Sequence, residues 1–161
     1  MAKRNILQDG DPVLRKKSRP VTAFDEKLHE LLDDMGETME DANGAGLAGP
    51  QVGILRRVAV VEADPDHGLV ELVNPEIIFR SEEIDEGLEG CLSFPGVWGI
   101  VPRPFRVTVR AQDRFGEWFE ITGEGLEARA FCHEIDHLDG NVFVDKAIRF
   151  VDPDELGGED E

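Results

Sequence analysis

Leu126-Glu127-Ala128-Arg129-Ala130-Phe131-Cys132-His133-Glu134-Ile135-Asp136-His137-Leu138 holds two apolar-compatible stripes at helical spacing. Leu126, Ala130, His133 and His137 follow steps of four, three and four residues, and Ala128, Phe131, Ile135 and Leu138 form a second row. A helix over about 125–138, closed by Gly140, is therefore expected to be buried on most of its surface, with its histidines turned into an interior cleft. Two histidines four apart sit about 5–6 Å apart at Cβ, which suits two ligands to one metal, and the intervening Glu134 can reach a metal-bound water. Leu126 and Ala130 would then line an apolar pocket one or two turns from the metal, where a substrate side chain could sit. By itself the pattern is also compatible with a surface helix bearing paired histidines.

The segments on either side supply the layer against which such a helix packs. Phe105, Val107, Val109 and Ala111 alternate with Arg106, Thr108 and Arg110, the signature of a half-buried strand. Asp113-Arg114-Phe115-Gly116 turns the chain, and Trp118 to Thr122 returns as a hairpin partner. Further upstream, Val58 to Val61 and Leu69 to Val73 are short β-branched runs separated by the turn Asp64-Pro65-Asp66-His67-Gly68, in which His67 reads as a loop residue. Thr22, with Asp25 three residues on, marks a helix start. Phe24, Leu28, Leu31, Leu32, Met35 and Met39 then recur at helical spacing, giving an amphipathic helix over 24–42 that Asn43-Gly44 stops. His29 falls among acidic neighbours as a surface residue. The first twenty residues read as an extended arm laid over the domain. The expected fold is α+β: antiparallel strands packed around a central metal-bearing helix, with an N-terminal amphipathic helix. Residues 1–151 form one catalytic domain, and the acidic, glycine-rich tail 152–161 is expected to be disordered.

Composition narrows the function classes. A chain of 161 residues with 40% hydrophobic and 32% charged residues reads as one globular domain with a single core. Its net charge of −18 argues against nucleic acid or an anionic membrane as the main partner, since both repel an acidic surface. No run approaches the roughly 18 apolar residues needed to cross a bilayer. The start Met1-Ala2-Lys3-Arg4-Asn5-Ile6-Leu7 has basic residues without an apolar run behind them, so a cytoplasmic location is expected. Two cysteines, Cys91 and Cys132, in a reduced compartment point to metal binding or catalysis rather than a disulfide.

A hydrolytic metal needs a third protein ligand and an open position. Downstream, Gly140 fits a glycine known from one group of metalloproteases, but Phe143 stands where the third histidine should be. No further helix offers a glutamate. Upstream, Glu89-Gly90-Cys91-Leu92-Ser93 offers a thiolate ligand in what reads as a Gly- and Pro-rich loop; a lone cysteine is otherwise most often a small buried hydrophobe. Gly44-Ala45-Gly46-Leu47-Ala48-Gly49-Pro50-Gln51 permits close backbone approach, along which a peptide could pair, and Gln51 can donate an amide hydrogen to an oxyanion. It is not a dinucleotide fingerprint, because no strand leads in.

Together the three segments resemble the three signature motifs of the peptide deformylases: a glycine-rich motif ending in glutamine (44–51), Glu-Gly-Cys-Leu-Ser (89–93) and His-Glu-x-x-His (133–137). The likeness extends to Asp11-Pro12-Val13-Leu14-Arg15, Asn74-Pro75 and Val101-Pro102-Arg103. The resemblance implies that Cys91, His133 and His137 bind one divalent metal, natively Fe2+, with Zn2+, Ni2+ or Co2+ as replacements. Glu134 would be general base and then acid, Gln51 and the Leu92 N–H would hold the oxyanion, and Gly44, Gly46 and Gly90 would meet the substrate backbone. It also implies N-formylmethionyl nascent polypeptides as substrate, with the methionine side chain near Leu126 and Ala130, and formate as product. Two departures stand out. Gly49 replaces a common alanine, which would at most loosen the loop, and Cys132 replaces a common glutamine, which would add oxidation sensitivity beside the first ligand. Any ribosome contact is not expected to run through the acidic tail. Two alternatives are a small metalloprotease-like hydrolase and a non-catalytic structural zinc protein, the latter needing a fourth ligand such as an inward-turned Cys132.

Overall fold

The computed structural model describes residues 3–152. The acidic tail therefore lies, apart from Asp152, outside the described residues. No helix among them is long and apolar enough to cross a membrane.

The N-terminal helix α1 spans Glu26–Asp41. Asp25, not Thr22, caps it: its carboxylate accepts the Leu28 N–H at 3.2 Å, satisfying one of the free donors of the first turn. Leu28, Leu31, Leu32, Met35 and Met39 form its buried face against β1 (Gly46–Ala48) and β2 (Val58–Val61). The helix ends where Asn43 takes a left-handed conformation (φ 57°), so that the Gly44 N–H returns to the Met39 carbonyl. Asparagine tolerates that conformation better than most residues.

Strand β2 pairs with β3 (Val70–Arg80), and β3 with β6 (Arg106–Gln112), which forms the expected hairpin with β7 (Trp118–Glu124). The resulting five-stranded antiparallel sheet runs β1-β2-β3-β6-β7, leaving β1 as an edge. On β6, Val107, Val109 and Ala111 are buried and the intervening residues are not, the period-two pattern read from sequence.

A second sheet was not legible. β4 (Ile84–Cys91) and β5 (Phe94–Pro104) form a hairpin that β8 (Arg149–Val151) extends in the order β4-β5-β8. The Cys91 segment is thus the end of a strand and the turn after it, not a Gly- and Pro-rich loop. Its residues Ile84-Asp85-Glu86-Gly87-Leu88-Glu89-Gly90 have weak strand propensity, and a long partner strand supplies the order. The register slips between Glu89 and Cys91, a bulge of the kind that re-aims a side chain beside a site.

Helix α2 (Leu126–Leu138) is buried at all but two of its thirteen positions and touches β5 of the small sheet as well as β1, β2, β3, β6 and β7 of the large one. It is the element both sheets share. Val61, Leu72, Val107, Val109, Phe131 and Ile135 fill the space between it and the large sheet. The N-terminal arm lies over the domain but is not fully extended. Pro12–Arg15 form a short 3-10 helix capped by Asp11, because Pro12 presets its first φ, and Leu14 anchors it beside Phe94, Val101 and Phe143.

Gly140, after the end of α2, has φ 80°, and an added Cβ would lie 2.7 Å from the Arg15 carbonyl oxygen. Gly10 also has positive φ (98°) but open space around it. Gly140→Ala is expected to destabilise by about 2–3 kcal/mol, and Gly10→Ala by about 1 kcal/mol. Thermal unfolding in one metal state measures the difference, at roughly 2–4 °C per kcal/mol for this size. Equal losses would show that the contact with the arm contributes nothing.

Candidate metal centre

Three donors from distant parts of the chain converge. The Cys91 sulfur, at the end of β4, lies 3.4 Å from His137 Nε2, and ligand atoms of Cys91, His133 and His137 all fall within 4.8 Å of one another. An ion about 2.3 Å from sulfur and about 2.0–2.1 Å from nitrogen in a tetrahedral site separates such donors by about 3.5 Å. His133 and His137 reach this point from one face of α2, their ring centroids 4.9 Å apart. Thiolate and imidazole together suit zinc or ferrous iron.

The ring of His133 is set by Glu89, whose Oε1 lies 2.9 Å from Nδ1, leaving Nε2 for a ligand role. Glu89 itself is buried and also accepts hydrogen bonds from Arg103 Nε at 2.8 Å, Arg103 Nη2 at 3.0 Å and Arg129 Nη1 at 2.8 Å. Burial works to raise the Glu89 carboxyl, but Arg103 and His133 hold it at about 2. Arg103 reaches Asp136 as well, at 2.6 Å, so this buried network pairs Glu89 and Asp136 with Arg103 and Arg129.

The remaining electrostatics fit a cation. Burial disfavours a proton on His133, yet Glu134, Cys91 and Glu89 outweigh it and raise its pKa well above the usual value. The field that holds a proton there also favours a divalent ion. His137 is pushed well below the usual imidazole value by burial and by His133, which keeps its lone pair free. Burial pushes the Glu134 carboxyl up to about 7, with His133 working against that rise. Glu134 Oε1 is buried without a hydrogen-bond partner among the described residues, as expected of a group that meets a water in the site; His137 Nδ1, the ring nitrogen opposite the one at Cys91, also lacks a partner among them.

Gln51 follows β1 in a 3-10 turn, Gly49–Val52, and is almost fully buried. Its Oε1 accepts the Ala48 N–H at 3.0 Å, which orients the amide so that Nε2 faces Ser93 Oγ at 3.1 Å and the Cys91 sulfur at 3.5 Å. The arm braces this turn through the Leu7 N–H on the Gln51 carbonyl. Gly49 does not loosen the loop. A Cβ there would meet the carbonyl oxygens of Ile54 at 2.7 Å and Arg56 at 2.9 Å, so glycine lets the turn close tightly on the 54–56 backbone.

A cavity of about 290 Å3 opens onto this group, and Gly44, Gly46, Gln51, Gly90, Leu92, Leu126, Ala130 and Glu134 all line it, with Cys91 and His133. Leu126 is largely exposed at the rim and Ala130 is buried. Gly46 has no room for a side chain, because a Cβ would stand 2.5 Å from Glu134 Oε2; Gly44 abuts the Leu92 side chain, and Gly90 abuts the Trp98 ring. Sequence reasoning missed Leu88, Trp98 and Arg129 as lining residues. It also missed the Glu89–Arg103–Arg129 network, although Glu89 and Arg103 lie inside stretches already singled out. Two other histidines lie elsewhere: His29 meets the Arg114 carbonyl and packs edge-on to Phe115, and His67 pairs with Glu127. Cys132 turns into the core beside Phe131 and Ile135 and joins neither group of metal-competent donors among the described residues. Burial raises its thiol pKa, which works against both a fourth-ligand role and ready oxidation.

Comparison with known proteins agrees with this architecture. The profile of the family described as Polypeptide deformylase matches residues 3–152. A peptide deformylase of Caldicellulosiruptor bescii is 56% identical over 159 residues, 97% of this chain and 92% of that protein. The crystal structure of the Thermotoga maritima peptide deformylase superposes with a TM-score of 0.86 at 44% identity, covering 90% of this chain and 97% of that one. The peptide deformylase of Acinetobacter baumannii bound to Met-Ala-Ser superposes at 0.85 with 38% identity, covering 89% of this chain and 98% of that one. With the whole described chain matched and three convergent motifs around one cavity, this protein belongs to the polypeptide deformylase family, metal-dependent hydrolases that remove the N-formyl group from newly made proteins.

Proposed function

We propose that Cys91, His133 and His137 hold the divalent metal of this deformylase, Fe2+ in its native state, and that Glu134 moves the proton. The observation that carries this reading is the buried Glu134 Oε1, without a hydrogen-bond partner among the described residues, in a cavity that Cys91 and His133 also line. Held by these three side chains, the metal would supply Lewis acidity that eases deprotonation of the attacking water near neutral pH. Glu134 takes the proton as the water oxygen bonds to the formyl carbon, and holds it at its carboxylate. The Gln51 Nε2–H and the Leu92 N–H donate to the oxygen that gains charge. As the C–N bond breaks, Glu134 delivers the proton to the leaving nitrogen, giving formate and a free amino terminus.

Substrate placement follows from the two sheets. β1 and β4 are edge strands, and Gly44 and Gly46 beside one and Gly90 on the other line the same cavity. An extended formylmethionyl chain fits between them as an added strand, bonded through its backbone and therefore indifferent to most sequence. Leu126 and Ala130 offer an apolar wall for the methionine side chain. Residues 1–151 act as a single catalytic domain in the cytoplasm, where formylated chains are made, and the acidic tail makes no ribosome contact.

Glu134→Gln is expected to lower kcat for a formyl-Met peptide by about 10²–10⁴ while one metal per chain is retained; near-normal formate release would exclude Glu134 as the proton carrier. Gln51→Ala should reduce kcat by about 10²–10³, read in the same assay at matched metal content. Glu89→Gln leaves the three donors intact but removes the negative charge and one of the two acceptor oxygens that His133 shares with Arg103 and Arg129, so metal affinity should fall about 10–100-fold in a chelator competition. Metal analysis of protein purified without oxygen, paired with activity, tests the iron assignment, and zinc as the sole active ion would refute it.

A further inference from the structure

A second group of metal-competent donors lies outside the Cys91 centre and shares no residue with it: Asp64, His67 and Glu127, with ligand atoms all within 4.8 Å of one another. Glu127 sits in the first turn of α2 with its carboxylate 1% exposed. Gly123 on β7 makes room for it, since a Cβ there would lie 2.9 Å from Glu127 Oε1. Among the described residues that carboxylate meets one polar group, His67 Nδ1, at 2.7 Å from one oxygen and 2.8 Å from the other. A single ring N–H cannot satisfy both oxygens, so one oxygen of a buried carboxylate lacks a donor of its own. Asp64 Oδ1 accepts the Asp66 N–H at 2.9 Å, while Oδ2 faces the same ring nitrogen at 3.9 Å.

These separations bracket the roughly 3–3.5 Å expected between nitrogen and oxygen donors about 2.0–2.2 Å from a common ion. One imidazole and two carboxylates form a donor set that suits zinc or nickel and leaves positions for water. Asp64 and His67 are about one-third exposed, so an ion has a path to the buried Glu127. The chain's charge of −18 raises the local concentration of cations.

We propose that Asp64, His67 and Glu127 form a second divalent-cation site, of the zinc or nickel class, that ties the turn between β2 and β3 to the first turn of α2. Neighbouring Leu126 forms the rim of the substrate cavity, so the ion would brace that rim from behind.

Dialysis of the holoenzyme against micromolar zinc, followed by elemental analysis of all divalent metals, tests this. Two ions per chain are expected in the wild type, and one in His67→Ala and in Asp64→Asn, both of which alter partly exposed turn residues. Cys91→Ser, which removes a donor of the other centre, should still take up the ion at His67. With four histidines in the chain, the His67 ring resonances can be followed by NMR, and they should shift on adding zinc to both the wild type and Cys91→Ser. One ion in the wild type with unmoved His67 signals would show an ion pair only and overturn the proposal. So would a second ion that persists in both turn variants.

Discussion

The buried carboxylate of Glu89 is the contact on which the site depends. Glu89 lies on β4, Arg103 on β5, and Arg129 and His133 on α2, and all three partners bond to the same two oxygens. One small charge cluster therefore joins the hairpin that ends in Cys91 to the helix that presents both histidines. Removing one member of a buried ion network leaves an uncompensated charge, which costs far more than losing a surface pair. That asymmetry gives the cluster a single favourable arrangement. Without it, fewer directed contacts would hold the sulfur-bearing hairpin to the helix of the two rings, and apolar packing fixes distance less sharply than directed hydrogen bonds do.

Close backbone approach is the second constraint. Gly46 lies against the Glu134 carboxylate, Gly90 against Trp98, and Gly49 against two carbonyl oxygens. Gly46 lets the edge strand β1 come nearer to α2, Gly90 lets β4 close on the Trp98 ring, and Gly49 lets the turn after β1 close on the 54–56 backbone, each nearer than a side chain allows. Gly46, Gly90 and the Glu134 carboxylate line one cavity together with Leu126 and Trp98. The same low-dielectric closure keeps Glu134 raised to about 7, within range of taking and returning a proton near neutral pH.

Much of the fold was legible. The apolar spacing of α1 and α2 and the alternation on β6 report directly which face is buried, because amphipathic periodicity is a local property. The hairpin β4–β5 was not, since Asp85, Glu86, Gly87, Glu89 and Gly90 give no strand period and are ordered by pairing with β5. For the same reason Arg129 reads locally as an ordinary helix-surface residue, yet it is buried against Asp85, Glu89 and the Val101 carbonyl. His67 reads as a turn residue and is one, but its partner lies sixty positions away.

The sequence by itself determined the chemistry on offer: which side chains can bind a metal, move a proton or admit a backbone, and their order along the chain. Residue type and helical spacing are enough for that, because ligand chemistry and the i, i+4 relation are intrinsic to the residues. Only the tertiary structure decided that Cys91 ends a strand rather than sitting in a loop, that Glu89 orients His133, and that two sheet edges flank one cavity. Those depend on strand pairing and on charges buried together across long separations, which no local pattern encodes.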